Sequence, residues 1–356
     1  MNVRDSEVIC GLLKGAGYEV CDSDKKADVI IFNTCSVRQH AEDRVWSLIG
    51  SYKGRKIIGL VGCMAQNYRE RAFQRDPSVS FVVGPQDIHK LPDILGKLGG
   101  DGFLQRKIWE VDSPGRPEKI YHTGFLQDKE RAYVVISEGC SNFCSYCVVP
   151  YVRGPLRHRK VKDILSEIQQ ALSQGVSRIT LLGQNVNAYY DEGTDFTGLL
   201  KMVNSLKGLK KFGFFTSHPK DANTAFFEAI RDLDKLEKSL HLPLQSGSDR
   251  ILKLMNRKYT LKEYLALIDS YRKIVKDGLL TTDIIIGFPT ETEDEFKETC
   301  DLLVRLKFNA AYIFKYSPRP KTEASKIAEI LSKEEKEKRH KHILDLQRRI
   351  SNSLKR

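Results

Sequence analysis

Residues 139–154 read Gly-Cys-Ser-Asn-Phe-Cys-Ser-Tyr-Cys-Val-Val-Pro-Tyr-Val-Arg-Gly. Cys140, Cys144 and Cys147 form C-x3-C-x2-C directly after an apolar run, Tyr133–Ile136, that reads as a strand. Thiols so closely spaced on a loop can turn toward one centre. Packing as small hydrophobes would leave the spacing without a reason. Zinc wants a fourth Cys or His nearby. His158 is the near candidate, and it lies in a basic run, Arg153, Arg157, His158, Arg159 and Lys160, that would repel a cation. A four-iron cluster normally takes four thiolates. Three would leave one iron open to a ligand, and the spacing favours that cluster.

Outward from this loop, strands and helices alternate. Candidate strands lie at 132–136, 178–183, 212–216, 240–244, 280–286 and 309–314, with helical patterns between them. Val161, Ile164, Leu165, Ile168, Ala171 and Leu172 make one helical stripe, closed by Gly175. Such βα units predict a doubly wound sheet or a partial TIM-like barrel, with ligands gathered at the carboxyl ends of the strands. Gln184, Asn185 and Asn187, then Ser217 and His218, then Gln245 and Gly287, all fall at those ends. The tail from Ser332 reads as a basic helix.

The amino-terminal part has its own rhythm. Val8, Ile9, Leu12 and Leu13 have helical spacing, and Gly15 to Gly17 stops the helix. Strands are expected over 28–33, 56–62 and 81–84, and helices over 37–49, 66–74 and 87–97. This predicts a parallel sheet covered on both faces. Cys35 and Cys63 each follow a strand and so share one edge of that sheet. Residues 101–130, with Gly102, Pro114, Gly115 and Pro117, read as a linker. The domains are therefore expected at 1–100 and 131–330, with a basic helix at 331–356.

The chain has 356 residues, 41% of them hydrophobic and 29% charged, which excludes a disordered chain. The longest apolar runs fall far short of the roughly 20 residues that span a bilayer. The polar N-terminus is no signal peptide, so a cytoplasmic protein is expected. Cytosolic cysteines point to metal or redox chemistry rather than disulfides. The net charge of +12 suits either a solvated surface or a polyanionic partner.

The 139–154 segment resembles the cluster motif of radical S-adenosylmethionine (SAM) enzymes, in particular the methylthiotransferases. The resemblance runs through Asn2–Glu7, Asn33–Arg38, Gly62–Gln66, Leu181–Tyr189, Thr216–Asp221, His241–Ser248, Thr282–Glu293 and Tyr316–Pro320. The Cys-Val-Val-Pro-Tyr and Gly-Gln-Asn-Val-Asn-Ala-Tyr forms are similar to the MiaB branch, which methylthiolates N6-isopentenyladenosine beside the tRNA anticodon. A branch acting on N6-threonylcarbamoyladenosine is the nearest alternative. A non-catalytic iron–sulfur RNA-binding protein is the alternative from another class.

The resemblance implies a partial (β/α)6 barrel behind an α/β amino-terminal domain. It implies a SAM-binding [4Fe-4S] cluster on Cys140, Cys144 and Cys147, and a SAM and adenosine pocket lined by Gln184, Asn185, Ser217, His218 and Gln245. It also implies an auxiliary [4Fe-4S] cluster held partly by Cys35 and Cys63. A tRNA anticodon stem–loop, a reducing electron donor and a sulfur source would be the partners of a monomeric, non-membrane enzyme. Two departures from the family pattern stand out. The first strand and the third amino-terminal cysteine are missing, so an internal methionine as the recorded start, in a longer native chain, is expected. The RNA-binding β-barrel that follows a helix like 332–354 in the family is missing as well. Either the chain is truncated there, or RNA binding falls to the catalytic face and the basic run at 153–160.

Overall fold

The computed structural model describes residues 1–36, 39–52, 56–99 and 107–354. The chain divides into two compact units. The first comprises Met1–Gly139 and Val148–Val176, and the second Cys140–Cys147 and Ser177–Arg356. The chain thus crosses to the second unit for the cysteine loop and returns before leaving the first. The division expected at a linker is replaced by this interleaving.

In the first unit, strands β1 (Val29–Thr34), β2 (Ile57–Gly62), β3 (Val79–Val83) and β4 (Ile108–Glu110) form a parallel sheet in that order. The central strands are apolar runs covered on both faces, as parallel sheets require. β1 lies at one edge, with Val29–Asn33 only partly buried. Gly59 on β2 lets the Phe81 ring of β3 lie against its backbone, because a Cβ there would fall 2.0 Å from that ring. The helix Asn2–Gly15 packs Val8, Ile9 and Leu13 into one core, together with Leu91, Ile94 and Leu98 of the helix Leu91–Leu98. The helix expected at 66–74 is broken into Cys63–Tyr68 and Arg71–Arg75, with Arg69 left-handed between them.

The expected linker is also corrected where it is described. Residues 108–110 pair as β4, and Ile120 and Tyr121 are buried core residues. Pro114, Gly115 and Pro117 thus lie inside a folded unit, and Gly102 lies outside the described residues. The same unit holds strand β5 (Arg131–Val135) and an antiparallel pair, β6 (Ser137–Glu138) with β7 (Arg157–His158). The helix Val161–Ser173 lies on β5.

The second unit repeats strand and helix. Strand β8 (Arg178–Leu182) is followed by a short hairpin, β9 (Tyr190–Asp191) with β10 (Thr194–Asp195), and by the helix Phe196–Asn204. β11 (Lys211–Phe214), parallel to β8, leads to the helix Thr224–Asp232. β12 (Ser239–His241), β13 (Leu279–Ile286) and β14 (Ala310–Lys315) form a parallel sheet in that order. The helices Leu261–Ile274, Glu293–Leu306 and Lys333–Ser353 complete the rhythm. The first turns of the second unit's helices, the short Asp249–Leu254 included, are satisfied by side chains: Asp195, Asn223, Ser248, Thr260, Thr292 and Ser332 each accept a backbone N–H. The core between them is largely aromatic and aliphatic. Phe214, for example, meets the rings of Phe196 and Phe226 at 5.3 and 5.5 Å.

Candidate active site

The cysteine loop is pinned within the second unit by backbone bonds. Ser145 N–H donates to Met255 O (3.0 Å), and Ala324 N–H donates to Ser145 O (2.8 Å). Asn256 Nδ2 donates to Phe143 O (2.8 Å), which holds Phe143 left-handed and half-exposed. Cys140, Cys144 and Cys147 are all partly buried. Burial pushes the Cys140 thiol up, countered by a bond from the Asn142 backbone and by the nearby cations Lys220 and Arg257. Arg257 Nη1 donates to Cys144 Sγ at 3.3 Å.

Four polar atoms at the strand ends are buried with no hydrogen-bond partner among the described residues: Gln184 Oε1, Asn185 Oδ1, His218 Nε2 and Gln245 Oε1. Buried polar groups are rarely left this way, and their concentration at the carboxyl ends of β8, β11 and β12 is that of a polar ligand pocket. The backbone there is shaped for it. Thr216 and Gln245 are both left-handed, a conformation β-branched threonine rarely adopts. His218 takes the Lys220 N–H on Nδ1 (3.2 Å), so Nε2 carries the proton. Burial, with Arg257 and Lys220 nearby, drives its pKa down to about 2 and keeps the ring neutral. Asn187 and His218 exchange backbone–side-chain bonds at 2.8 and 3.0 Å. Ser217 is different: its hydroxyl donates to His241 O, so it braces β11 against β12.

Sequence reading missed an adjoining open face. On β13, Thr282, Ile284 and Ile286 are buried, whereas Thr281, Asp283 and Ile285 face the other way and are half-open. His241 bridges Thr281 Oγ1 (3.0 Å) and Asp283 Oδ2 (3.2 Å), and Tyr312 lies 5.9 Å from its ring. Tyr312 and Phe215 are each 54% exposed. The sequence of 280–286, Leu-Thr-Thr-Asp-Ile-Ile-Ile, has no period-two alternation of polar and apolar residues, so it marks a strand without separating its two faces.

In the first unit, Cys35 follows β1 and Cys63 follows β2. Thr34 and Gly62 are register partners, so the two cysteines leave neighbouring strands at the same level. Cys63 is buried and accepts a bond from Arg153 Nε (3.2 Å), while Cys35 is exposed. The other cysteines fall elsewhere. Cys10 sits in the first helix, Cys21 is exposed in a loop, and Cys300 is buried among helix residues, its thiol pushed up to about 12 by that burial.

The basic run is not an exposed phosphate stripe. Arg153 is buried against Asp5 (2.6 Å), and Arg159 against Glu167 (2.5 Å) and Glu118 (3.0 Å). Arg157 is half-buried, 3.5 Å from Glu138. The carboxylates that neutralise these arginines all lie outside the run, between 8 residues (Glu167) and 148 residues (Asp5) from their partners, so charge along the run alone could not reveal the pairing.

The profile of the radical SAM superfamily matches residues 134–303, and that of the uncharacterized protein family UPF0004 matches residues 1–84. The tRNA-2-methylthio-N(6)-dimethylallyladenosine synthase of Thermoanaerobacter pseudethanolicus is 42% identical over 99% of this chain and 76% of its own length. The protein of that name from Caldicellulosiruptor saccharolyticus is 40% identical with the same coverage. This chain belongs to the tRNA-2-methylthio-N(6)-dimethylallyladenosine synthase family. Its fold is also that of a radical SAM methyltransferase, TsrM from Kitasatospora setae. That structure matches with a TM-score of 0.62 at 13% identity, over 90% of this chain and 73% of the other.

Membership of the radical SAM superfamily implies a [4Fe-4S] cluster and SAM, and the donor set fits them. Among the described residues no three His, Cys, Asp or Glu side chains converge as they would on a single metal ion. A four-iron cluster makes no such demand, since each iron takes its own thiolate. The unpartnered amide oxygens and the neutral imidazole N–H offer acceptors and a donor for the polar groups of SAM. Among the described residues no helix is long and apolar enough to cross a membrane.

Proposed function

We propose that this synthase-family chain inserts a methylthio group at C2 of N6-isopentenyladenosine beside the anticodon of tRNA. The observation that carries the reading is the C-x3-C-x2-C loop, fastened beside strand ends that hold four unpartnered buried polar atoms, in a chain whose 40–43% identical relatives carry that synthase name. An aromatic C–H bond has no acidic proton, so side-chain bases cannot open it. When bound, the cluster and SAM supply a 5′-deoxyadenosyl radical able to take that hydrogen. Cys140, Cys144 and Cys147 would hold the cluster. Gln184, Asn185, His218 and Gln245 would orient SAM, and Ser217 would fix the strand end under it. Tyr312 and Phe215 offer exposed rings on which an unstacked loop base can lie, and His241 and Asp283 offer polar edges for it.

Cys35 and Cys63 would hold part of an auxiliary cluster that carries the sulfur to be inserted, and a further SAM would supply the methyl group on that sulfur. The reaction also needs an external one-electron reductant and a sulfur source, and it suits a cytoplasmic monomer. Oxygen-free reconstitution tests the reading. Reduced protein should cleave SAM to 5′-deoxyadenosine, and Cys144→Ala should abolish this. Treated tRNA should gain methylthio mass on isopentenyladenosine; gain on threonylcarbamoyladenosine would favour the other branch. Iron-loaded wild-type protein that never cleaves SAM would favour a non-catalytic RNA-binding role. A variant lacking all three loop cysteines should keep about four irons if the auxiliary cluster assembles.

A further inference from the structure

Arg257 is 8% exposed. Its donors are spread over neutral or thiol acceptors: Cys144 Sγ at 3.3 Å, Tyr146 Oη at 3.4 Å, Tyr259 Oη at 3.0 Å and Pro243 O at 3.4 Å. The guanidinium lies 5.1 Å from the centre of the Tyr259 ring. Among the described residues no carboxylate stands within ion-pair distance of it. Among the other arginines with buried side chains, Arg4, Arg116, Arg153, Arg159 and Arg339 each meet an Asp or Glu at 3.3 Å or less. A guanidinium never loses its proton in a protein. Buried without an anion, it costs stability that hydrogen bonds to carbonyls and phenols do not return.

We propose that Arg257 is the built-in counter-cation of the cluster on Cys140, Cys144 and Cys147. It is a positioning residue that waits, uncompensated, for the anion the cluster brings. The inference rests on the cluster reading above. Thiolate-ligated clusters carry net negative charge, and hydrogen bonds to their sulfurs together with nearby charge set their reduction potential. A cation fixed on one thiolate favours the more negative, reduced state. Arg257 therefore makes the one-electron reduction, supplied from outside by a reductant such as dithionite, easier. It does so through Cys144 rather than by touching the substrate. Tyr259 fixes the guanidinium in turn, donating its own hydroxyl toward Pro243 O and Leu244 O at 2.9 Å.

The test compares full-length wild type, Arg257→Met, Arg257→Gln and Arg257→Lys, each in iron-free and reconstituted form. Iron-free Arg257→Met should melt no lower than iron-free wild type, because it sheds an unpaired buried charge. Its gain in melting temperature on reconstitution should be smaller. The cluster potential, followed by electron paramagnetic resonance in a dithionite titration, should move to more negative values in the Met and Gln variants and return toward wild type in Lys. Reconstituted variants with the wild-type potential and the full gain in melting temperature would overturn this inference alone. Wild-type protein that assembles no four-iron cluster would overturn the cluster reading and this inference with it.

Discussion

Asp5 is wholly buried between two guanidiniums, Arg116 Nη1 at 2.7 Å and Arg153 Nη2 at 2.6 Å. Burial alone would push its carboxyl up, but the two cations outweigh it and hold the group far below the usual carboxylate range. A depressed folded pKa contributes stability that is present above the unfolded value and lost as pH falls through the folded one. Asp5→Asn should therefore cost about 3–5 kcal/mol at neutral pH, the usual price of breaking a buried pair. It should also flatten the fall in stability below about pH 3.9, the unfolded carboxylate value, both read by urea unfolding across pH. Arg153 also donates to Cys63, so the same change should disturb that thiol's setting. None of this was legible in Asn2–Glu7, because Arg4, Asp5 and Glu7 have a helical stripe beside them that reads as an ordinary solvated face. Their partners stand more than a hundred residues away.

Single elements were the most readable level. The helix Val161–Ser173 follows from one apolar stripe and a glycine stop, and the expected strands of the second half fall within a few residues of β5, β8 and β11 to β14. Local chemistry decides such elements, as the helix Glu293–Leu306 illustrates. Thr292 accepts from the Glu295 N–H while Glu295 returns a bond to the Thr292 backbone, a closed capping box. Glu295 also accepts from Arg250 (2.6 Å) and Ser248 (2.8 Å). The Arg250 bond is the main reason its pKa falls to about 2. Its stabilising effect is thus complete above about pH 4.5 and lost as pH falls toward 2. Glu295→Gln should lower stability by about 1 kcal/mol at neutral pH and narrow the loss between pH 4.5 and 2, a pattern thermal melts across pH would reveal. Where elements were misread, tertiary context had overridden local signals. Pro114, Gly115 and Pro117 follow β4 within a folded unit rather than in a free linker, and a left-handed Arg69 splits one expected helix into two.

Across the whole molecule, the chain builds its first unit from two separated stretches. The second stretch supplies Arg153, Arg159 and Glu167, the buried partners of Asp5, Glu118 and Arg4. It also supplies Val148 and Val152, which cover Cys63. A fragment ending at Gly139 should therefore melt without a cooperative transition, whereas one ending at Val176 should regain it; a sharp melt for the shorter fragment would contradict this dependence. The sequence by itself determined the α/β rhythm, the cysteine loop and the strand-end positions of Gln184, Asn185, His218 and Gln245. Periodicity, turn residues and close cysteine spacing are local properties, written within a few residues. Only the tertiary structure decided that Arg153 and Arg159 are internal ion partners, that Ser217 is a brace, and that Arg257 stands on Cys144 with no carboxylate beside it among the described residues. A charge's role depends on what lies within a few ångströms of it, and folding brings those neighbours from distant parts of the chain.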